Sequence, residues 1–367
     1  MITHIKKFGI IALVLCILSA CSSESEEIIS RKTNKDLEVR VDKYLKDKKF
    51  NGSILMGKEG DIWISKGYGM ANFEKEIPNT PTTRFRIGSV TKQFTSLSIM
   101  KLQEQGLVNV KDTLDKYIPD YPNGDKITLH HLLSHTSGIQ EYLSTYLLSS
   151  PLSQQYTSPY ELINTFKQEP LNFTPGTQFS YSNSNYVLLG YIIEKVSKES
   201  YTDYINDNIL RPLHMKDSGY DINVYNEDNH AKGYEGTAEQ HSDPFYNLDM
   251  SFAFSAGALY STVEDLYLWD QALYTNKLIT AASLDTMFTP KIVVEKDITS
   301  YAYGWVVFPG PENLVGHGGN IFGYSSMILK NRETKNLVIV LCNFDSYAEI
   351  SIIARDLNKI LDNYIKK

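Results

Sequence analysis

The chain has 367 residues, 42% of them hydrophobic, and carries a formal net charge of −7. That length supplies one large or two interlocked domains with a sizeable core, and the acidic balance argues against a nucleic-acid partner. Its 25 tyrosines suit a wet surface facing carbohydrate or peptide, although ordinary amphipathic packing accounts for most such residues.

At the start, Lys6 and Lys7 precede an apolar stretch, Phe8–Leu18, followed by Ser19-Ala20-Cys21. The segment is short for a transmembrane helix and has the build of a secretory signal over residues 1–20. Leu18-Ser19-Ala20-Cys21 resembles a bacterial lipobox, which implies cleavage before Cys21, acylation of its thiol and a cell-envelope lipoprotein held on a bacterial membrane. Cys16 would leave with the signal and Cys21 would carry lipid, so Cys342 alone remains in the folded part and no internal disulfide is expected. Cys342 follows the apolar run Leu337–Leu341 and reads as a buried strand residue, not a nucleophile. Residues 21–36 are rich in Ser and Glu, then Lys, and read as a flexible tether. Their acidic start, Ser22–Glu27, is either a plain solvated spacer or a surface-export signal of the kind it resembles in some diderm bacteria.

Leu37, Val41, Tyr44 and Leu45 share one side of a helix predicted over Leu37–Leu45. Ser53–Met56 and Ile62–Gly67 form a predicted hairpin closed by Gly57-Lys58-Glu59-Gly60. From Ser89 to about Leu278 helical patterns dominate, among them Thr128–Ser134, Pro159–Phe166, Ser184–Val196, Thr202–Ile209 and Val263–Tyr274. Strand signals return at Tyr303–Phe308, Tyr324–Leu329 and Leu337–Cys342, and Ile350–Ile365 closes the chain as an amphipathic helix. Two strand-and-helix parts, residues 37–82 and 286–367, therefore enclose a mainly helical part, 83–285.

The chemistry concentrates at Arg84–Phe94. This extended segment turns at Gly88 into a helix predicted from Ser89 to Gly106, with Phe94, Leu97 and Met100 at helical spacing. Ser89 and Lys92 lie three residues apart on one face, a hydroxyl beside an amine. Serine attacks only once a neighbour takes its proton, and a lysine does so only if its pKa is brought down from about 10.4. A serine at a helix start also serves as a simple cap, so the pair alone leaves both roles open. The same spacing recurs at Ser98 and Lys101, nine residues on and therefore on the opposite helix face. Both pairs cannot serve one site, and mid-helix Lys101 reads as a solvated charge.

His131 and His135 are spaced like two metal ligands on a helix, but Leu132 stands where H-E-x-x-H has its glutamate and no third ligand is evident. Both read as structural, and no metal or other cofactor is predicted. No Gly-x-Ser-x-Gly elbow occurs.

Tyr181-Ser182-Asn183 heads a second helical run, after Pro175-Gly176, and His317-Gly318-Gly319 lies in the C-terminal third. The order Ser-x-x-Lys, Tyr-x-Asn, His-x-Gly resembles the serine hydrolase family of class C β-lactamases, D-alanyl-D-alanine carboxypeptidases, D-aminopeptidases and β-lactamase-fold esterases. Connecting phrases such as Ile127–Gly138, Pro212–Met215 and Ser255–Thr262 match too, and the similarity runs from about Gly52 to the C-terminus. The resemblance implies a β-lactamase/transpeptidase-like fold: an α/β part, its antiparallel sheet flanked by terminal helices, packed on an all-helical insertion. It implies Ser89 as nucleophile, Lys92 and Tyr181 sharing the proton work, and Asn183 orienting Lys92 and substrate. Backbone N–H groups of Ser89 and Asn320 would form the oxyanion hole, with His317, Gly318 and Gly319 against the substrate. Penicillinases of this fold usually show Lys-Thr-Gly where this chain has His317-Gly318-Gly319, so the cation that grips a substrate carboxylate is replaced by a largely neutral imidazole. The expected substrates are D-amino-acid-containing peptides of the cell wall or small esters. The alternatives are a class C-type β-lactamase and a penicillin-binding sensor or trap that is acylated without turnover.

Overall fold

Alternation along Asn336–Cys342 organises the molecule: Leu337, Ile339 and Leu341 are buried in one cluster, Val338, Val340 and Cys342 in another. A strand apolar on both faces lies between two layers. The computed structural model describes residues 30–143, 148–222, 229–244, 248–295, 299–310 and 313–365. The predicted signal, Cys21 and the tether up to residue 29 lie outside them.

The main sheet contains, in chain order, β1 (Ser30–Arg31), β2 (Gly52–Lys58), β3 (Asp61–Tyr68), β4 (Ile292–Glu295), β5 (Thr299–Tyr301), β6 (Val306–Val307), β7 (Leu314–Ile321), β8 (Tyr324–Asn331) and β9 (Asn336–Cys342). Their spatial order is β1-β3-β2-β9-β8-β7-β6-β5-β4. It is antiparallel except that β1 runs parallel to β3. The predicted hairpin is present, but its turn is only Glu59-Gly60, both at positive φ (54° and 82°), the geometry that suits a two-residue connection. The strand predicted at Tyr303–Phe308 shrinks to β6, Val306–Val307, because Gly304 at φ 74° lies in the turn that joins it to β5.

The helices Lys35–Asp47 and Tyr347–Ile365 cover one face. Asn34 caps the first, its Oδ1 accepting from the N–H groups of Asp36 and Leu37, both at 3.1 Å. Leu37, Val41 and Leu45 then pack with Ile353, Leu357 and Leu361 against the sheet. The other face meets the middle of the chain through Leu55, Ile339 and Leu341, which share a cluster with Phe94 and Trp269. The rings of Phe94 and Trp269 stack at 4.1 Å.

The middle is not all helix. A three-stranded sheet of Phe85–Arg86, Leu259–Ser261 and Gly219–Tyr220 lies within it, as does the pair Glu235–Gly236 with His241–Ser242. Runs of two or three residues are too short to carry a period-2 signal, so the sequence pattern hid them.

Candidate active site

The small sheet sets the approach to Ser89. Arg86 pairs with Tyr260, and the Ile87 N–H donates to the Leu259 carbonyl at 3.0 Å. The chain then makes one 3₁₀ turn, Gly88–Val90, and the α-helix begins at Thr91 and ends at Glu104, slightly inside the predicted span. Gly88 has φ 49°, and a Cβ there would stand 3.0 Å from the Asn320 nitrogen. A Cβ on Gly319 would fall 2.0 Å from the Ile87 carbonyl oxygen. Only glycines let this turn and β7 press together. Gly319 thus makes room for the Ser89 turn, where the sequence pattern suggested room for substrate. β6 pairs with β7 only at Val315 and Gly316, so the stretch from Gly318 onward faces the Ser89 turn.

Ser89 is partly exposed, whereas Lys92 is fully buried. Lys92 Nζ lies 3.0 Å from Ser89 Oγ, 2.7 Å from Asn183 Oδ1 and 2.9 Å from the Ala256 carbonyl oxygen. Burial draws the Lys92 pKa down to about 7, with the Glu141 carboxylate pulling partly the other way. A neutral amine has two N–H bonds and a lone pair. The two oxygens of Asn183 and Ala256 can only accept, so they take both N–H bonds and leave the lone pair for the Ser89 hydroxyl.

Glu141 fixes that arrangement. Its Oε2 accepts from the Asn183 backbone N–H at 2.6 Å and from Asn183 Nδ2 at 3.0 Å, which turns Asn183 Oδ1 toward Lys92. Glu141 leaves no motif in the sequence, because it sits in a loop 42 residues before Asn183 with no spacing to mark it.

Tyr181 and Asn183 reach the same place from the start of helix Asn183–Ser197. The Tyr181 ring centroid is 4.9 Å from Lys92 Nζ, and that of Tyr186 is 5.4 Å away. Tyr181 also packs against the His135 imidazole, with ring centroids 4.3 Å apart and planes tilted by 34°. His135 is fully buried, and its Nδ1 accepts from the Ser182 N–H at 3.2 Å and lies 3.2 Å from Asn185 Nδ2. Burial first, then the charge of Lys92, pushes its pKa well down. His131 caps its own short helix, its ring Nδ1 accepting from the Thr128 N–H at 3.2 Å.

His317 lies within β7, not in a loop between strands, and is 4% exposed. Its Nδ1 is 2.7 Å from the Gly318 carbonyl and its Nε2 3.0 Å from the Tyr301 hydroxyl. A carbonyl only accepts, so Nδ1 carries the proton and Nε2 receives the Tyr301 O–H. Burial and then Lys92 lower the His317 pKa to about 3. The imidazole is therefore neutral and both nitrogens are engaged within the protein. Sequence reasoning placed His317 against substrate; it lines the cleft, and its hydrogen bonds go to Tyr301 and its own strand.

The second pair behaves differently. Ser98 is buried and donates to the Phe94 carbonyl at 2.9 Å. Lys101 is half-buried, not solvated, and donates to the Asn208 carbonyl at 3.2 Å. Cys342 is buried in β9 as expected, its thiol pushed up to about 11 by burial.

A cleft opens on both sides of Ser89. Its two lobes, of about 260 and 450 Å³, share Ser89, Asn183 and Asn320. The larger is lined by Phe179, Tyr181, Tyr301, His317 and Gly318; the smaller by Tyr142, Leu143, Leu248, Phe322 and Asp345. Among the described residues no lysine or arginine lines either lobe. The arrangement provides a nucleophile, a buried base and a polar strand edge, the set that acyl transfer needs.

A family model described as Beta-lactamase matches residues 39–360. The chain is 28% identical over 383 residues to the putative penicillin-binding protein PbpX of Bacillus subtilis, covering 97% of this chain and 93% of that protein. It is 33% identical over 304 residues to Protein flp of Staphylococcus aureus, covering 80% of this chain but only 59% of that longer protein. Among solved structures, a penicillin-binding protein from Bacillus halodurans superposes with a TM-score of 0.78 at 28% identity, covering 86% of this chain and 98% of that one. A D-stereospecific amidohydrolase from Streptomyces gives 0.67 at 25% identity, covering 80% and 89%.

Proposed function

This chain belongs to the beta-lactamase family and is a serine hydrolase of that fold, and from this premise we propose that it cleaves amide or ester bonds of small D-amino-acid derivatives through an acyl-enzyme on Ser89. The observation that carries the reading is the 3.0 Å contact between Ser89 Oγ and a buried amine whose pKa lies near 7. Such an amine is a competent base at neutral pH.

In the proposed cycle Ser89 Oγ attacks the carbonyl carbon as its proton passes to Lys92 Nζ. The oxyanion is met by the backbone N–H groups of Ser89 and Asn320. The leaving amine or alcohol then takes a proton from Tyr181, which lines the larger lobe, and Lys92 reprotonates the phenolate. Water attacks the ester and returns Ser89 Oγ–H. The leaving group therefore occupies the larger lobe beside Tyr181, and the acyl group occupies the smaller lobe.

Electrostatics narrows the substrate. No lysine or arginine lines either lobe among the described residues, and His317 is neutral with both nitrogens spent. Among the described lining residues a free substrate carboxylate finds no fixed cation, which counts against β-lactams and C-terminal carboxypeptidase substrates. The exposed Glu141 carboxylate beside Asn183 favours the free ammonium of an amino-acid amide. The similarity to a D-stereospecific amidohydrolase supports the D configuration.

Fluorophosphonate labelling with peptide mapping, on wild type and Ser89→Ala, tests the nucleophile. D-amino-acid amides, D-alanyl peptides, nitrophenyl esters and nitrocefin test the substrate: amides and esters are turned over well, nitrocefin poorly. Equal turnover of nitrocefin and amides overturns the substrate assignment, and labelling that survives Ser89→Ala overturns the mechanism. Acylation by penicillin without turnover is a second reading, favoured by the names of relatives; stable labelling of Ser89 by penicillin would mark it.

Export and lipid anchoring at Cys21 are proposed from residues 6–21 alone. No helix among the described residues is long and apolar enough to cross a membrane. Metabolic labelling with an alkynyl fatty acid, lost in Cys21→Ser, checks the anchor.

A further inference from the structure

The smaller lobe has apolar walls and one ionic group. Tyr142, Leu143, Leu248 and Phe322 form its sides, and Asp345, at the junction of β9 with the last helix, is its only charged lining residue among those described. Asp345 is exposed, and its Oδ1 accepts from Asn320 Nδ2 at 2.8 Å. That partner is a neutral amide, so the carboxylate's charge is uncompensated by any described ion pair. The Asn320 side chain holds the carboxylate on the wall of the cleft that contains Ser89.

An apolar sleeve with a carboxylate on its rim fits an alkyl chain that ends in a cation. The aliphatic stem covers apolar surface while the head stays hydrated beside the carboxylate. We propose that Asp345 is a specificity-determining residue, selecting acyl groups whose side chain is an alkylammonium, such as the side chain of lysine, over neutral chains of the same length. This rests on the assignment of the smaller lobe to the acyl group. Glu141 is bound to Asn183 and does not line the smaller lobe, whereas Asp345 is bound to Asn320 and does.

The test uses p-nitroanilides of lysine, norleucine and glutamate in both configurations, each with a free α-amine, so that any pairing of the α-ammonium is common to all three. Wild type is expected to prefer lysine to norleucine by about five- to tenfold in kcat/KM, as suits one partly solvated charge pair. The preference shrinks as salt is added. Asp345→Asn brings the lysine/norleucine ratio to about one, and Asp345→Lys turns the preference toward glutamate. Each ratio is taken within one variant, so a general loss of activity cancels. A wild-type ratio of one, or a ratio unchanged in Asp345→Asn, overturns the role of Asp345 while leaving Ser89 chemistry standing. No turnover of any anilide, with no fluorophosphonate label on Ser89, sinks the hydrolase reading and this inference with it.

Discussion

Helix Thr91–Glu104 and the turn before it carry the same spacing twice, and the two copies share almost nothing else. Ser89–Lys92 sits where the chain turns into the helix, with the serine reachable from the cleft and the amine walled off between Asn183, Ala256 and two tyrosine rings. Ser98–Lys101 sits deeper in the same helix, with the serine bonded back to its own turn and the lysine tied to a carbonyl of the helical turn Asn206–Leu210. A hydroxyl three residues from an amine is therefore only raw material. What converts it is a desolvated amine with its N–H bonds already spent and a hydroxyl that faces open space.

Breaking the first pair has the largest expected effect. Ser89→Ala lowers kcat/KM by at least about 1000-fold, because nothing else in the cleft replaces the nucleophile. Ser98→Ala stays within about threefold, measured on the same amide substrate. Equal losses in the two variants would mean that the second pair takes part and that the contrast is false.

A buried lysine elsewhere sharpens the contrast. Lys330 is as enclosed as Lys92, but it faces the buried carboxylate of Asp270 at 2.6 Å and the Tyr274 ring at 4.2 Å. Lys330→Ala leaves Asp270 uncompensated and is expected to cost about 3–5 kcal/mol of stability, read by urea denaturation. Lys92→Met, whose site holds only neutral acceptors, should cost far less stability and nearly all activity.

The smallest effect is a shift along the pH axis. Lys92 must be neutral to accept a proton, so kcat/KM rises as pH increases through about 7 and levels off above it. Glu141 stabilises the ammonium, so Glu141→Gln moves that limb to lower pH while the amide still accepts from Asn183. A limb that stays put would show that the titrating group is not Lys92.

Much of this was legible before folding. The order of Ser89, Lys92, Tyr181, Asn183 and His317 along the chain, the hairpin, the two-sided apolar run Leu337–Cys342 and the terminal helices all leave local patterns. Local patterns do not reach across the fold. Glu141 and Asp345 join the cleft from loops and the Ala256 carbonyl from a one-turn helix, none with a periodic signal, and the two- and three-residue strands around Phe85 are too short to show one. His317 illustrates the limit: its place in a His-Gly-Gly run put it at the cleft, which it lines, while only packing revealed that Tyr301 and Gly318 engage both nitrogens.

The sequence by itself determined which groups were available and which elements would carry them, since periodicity, capping and glycine positions act over a few residues. Tertiary structure decided which serine faces a cleft and which lysine is stripped of water, because desolvation and hydrogen-bond saturation depend on neighbours tens to hundreds of residues away. The amine of Lys92 takes its reactivity from Asn183 and Ala256, 91 and 164 positions further along the chain.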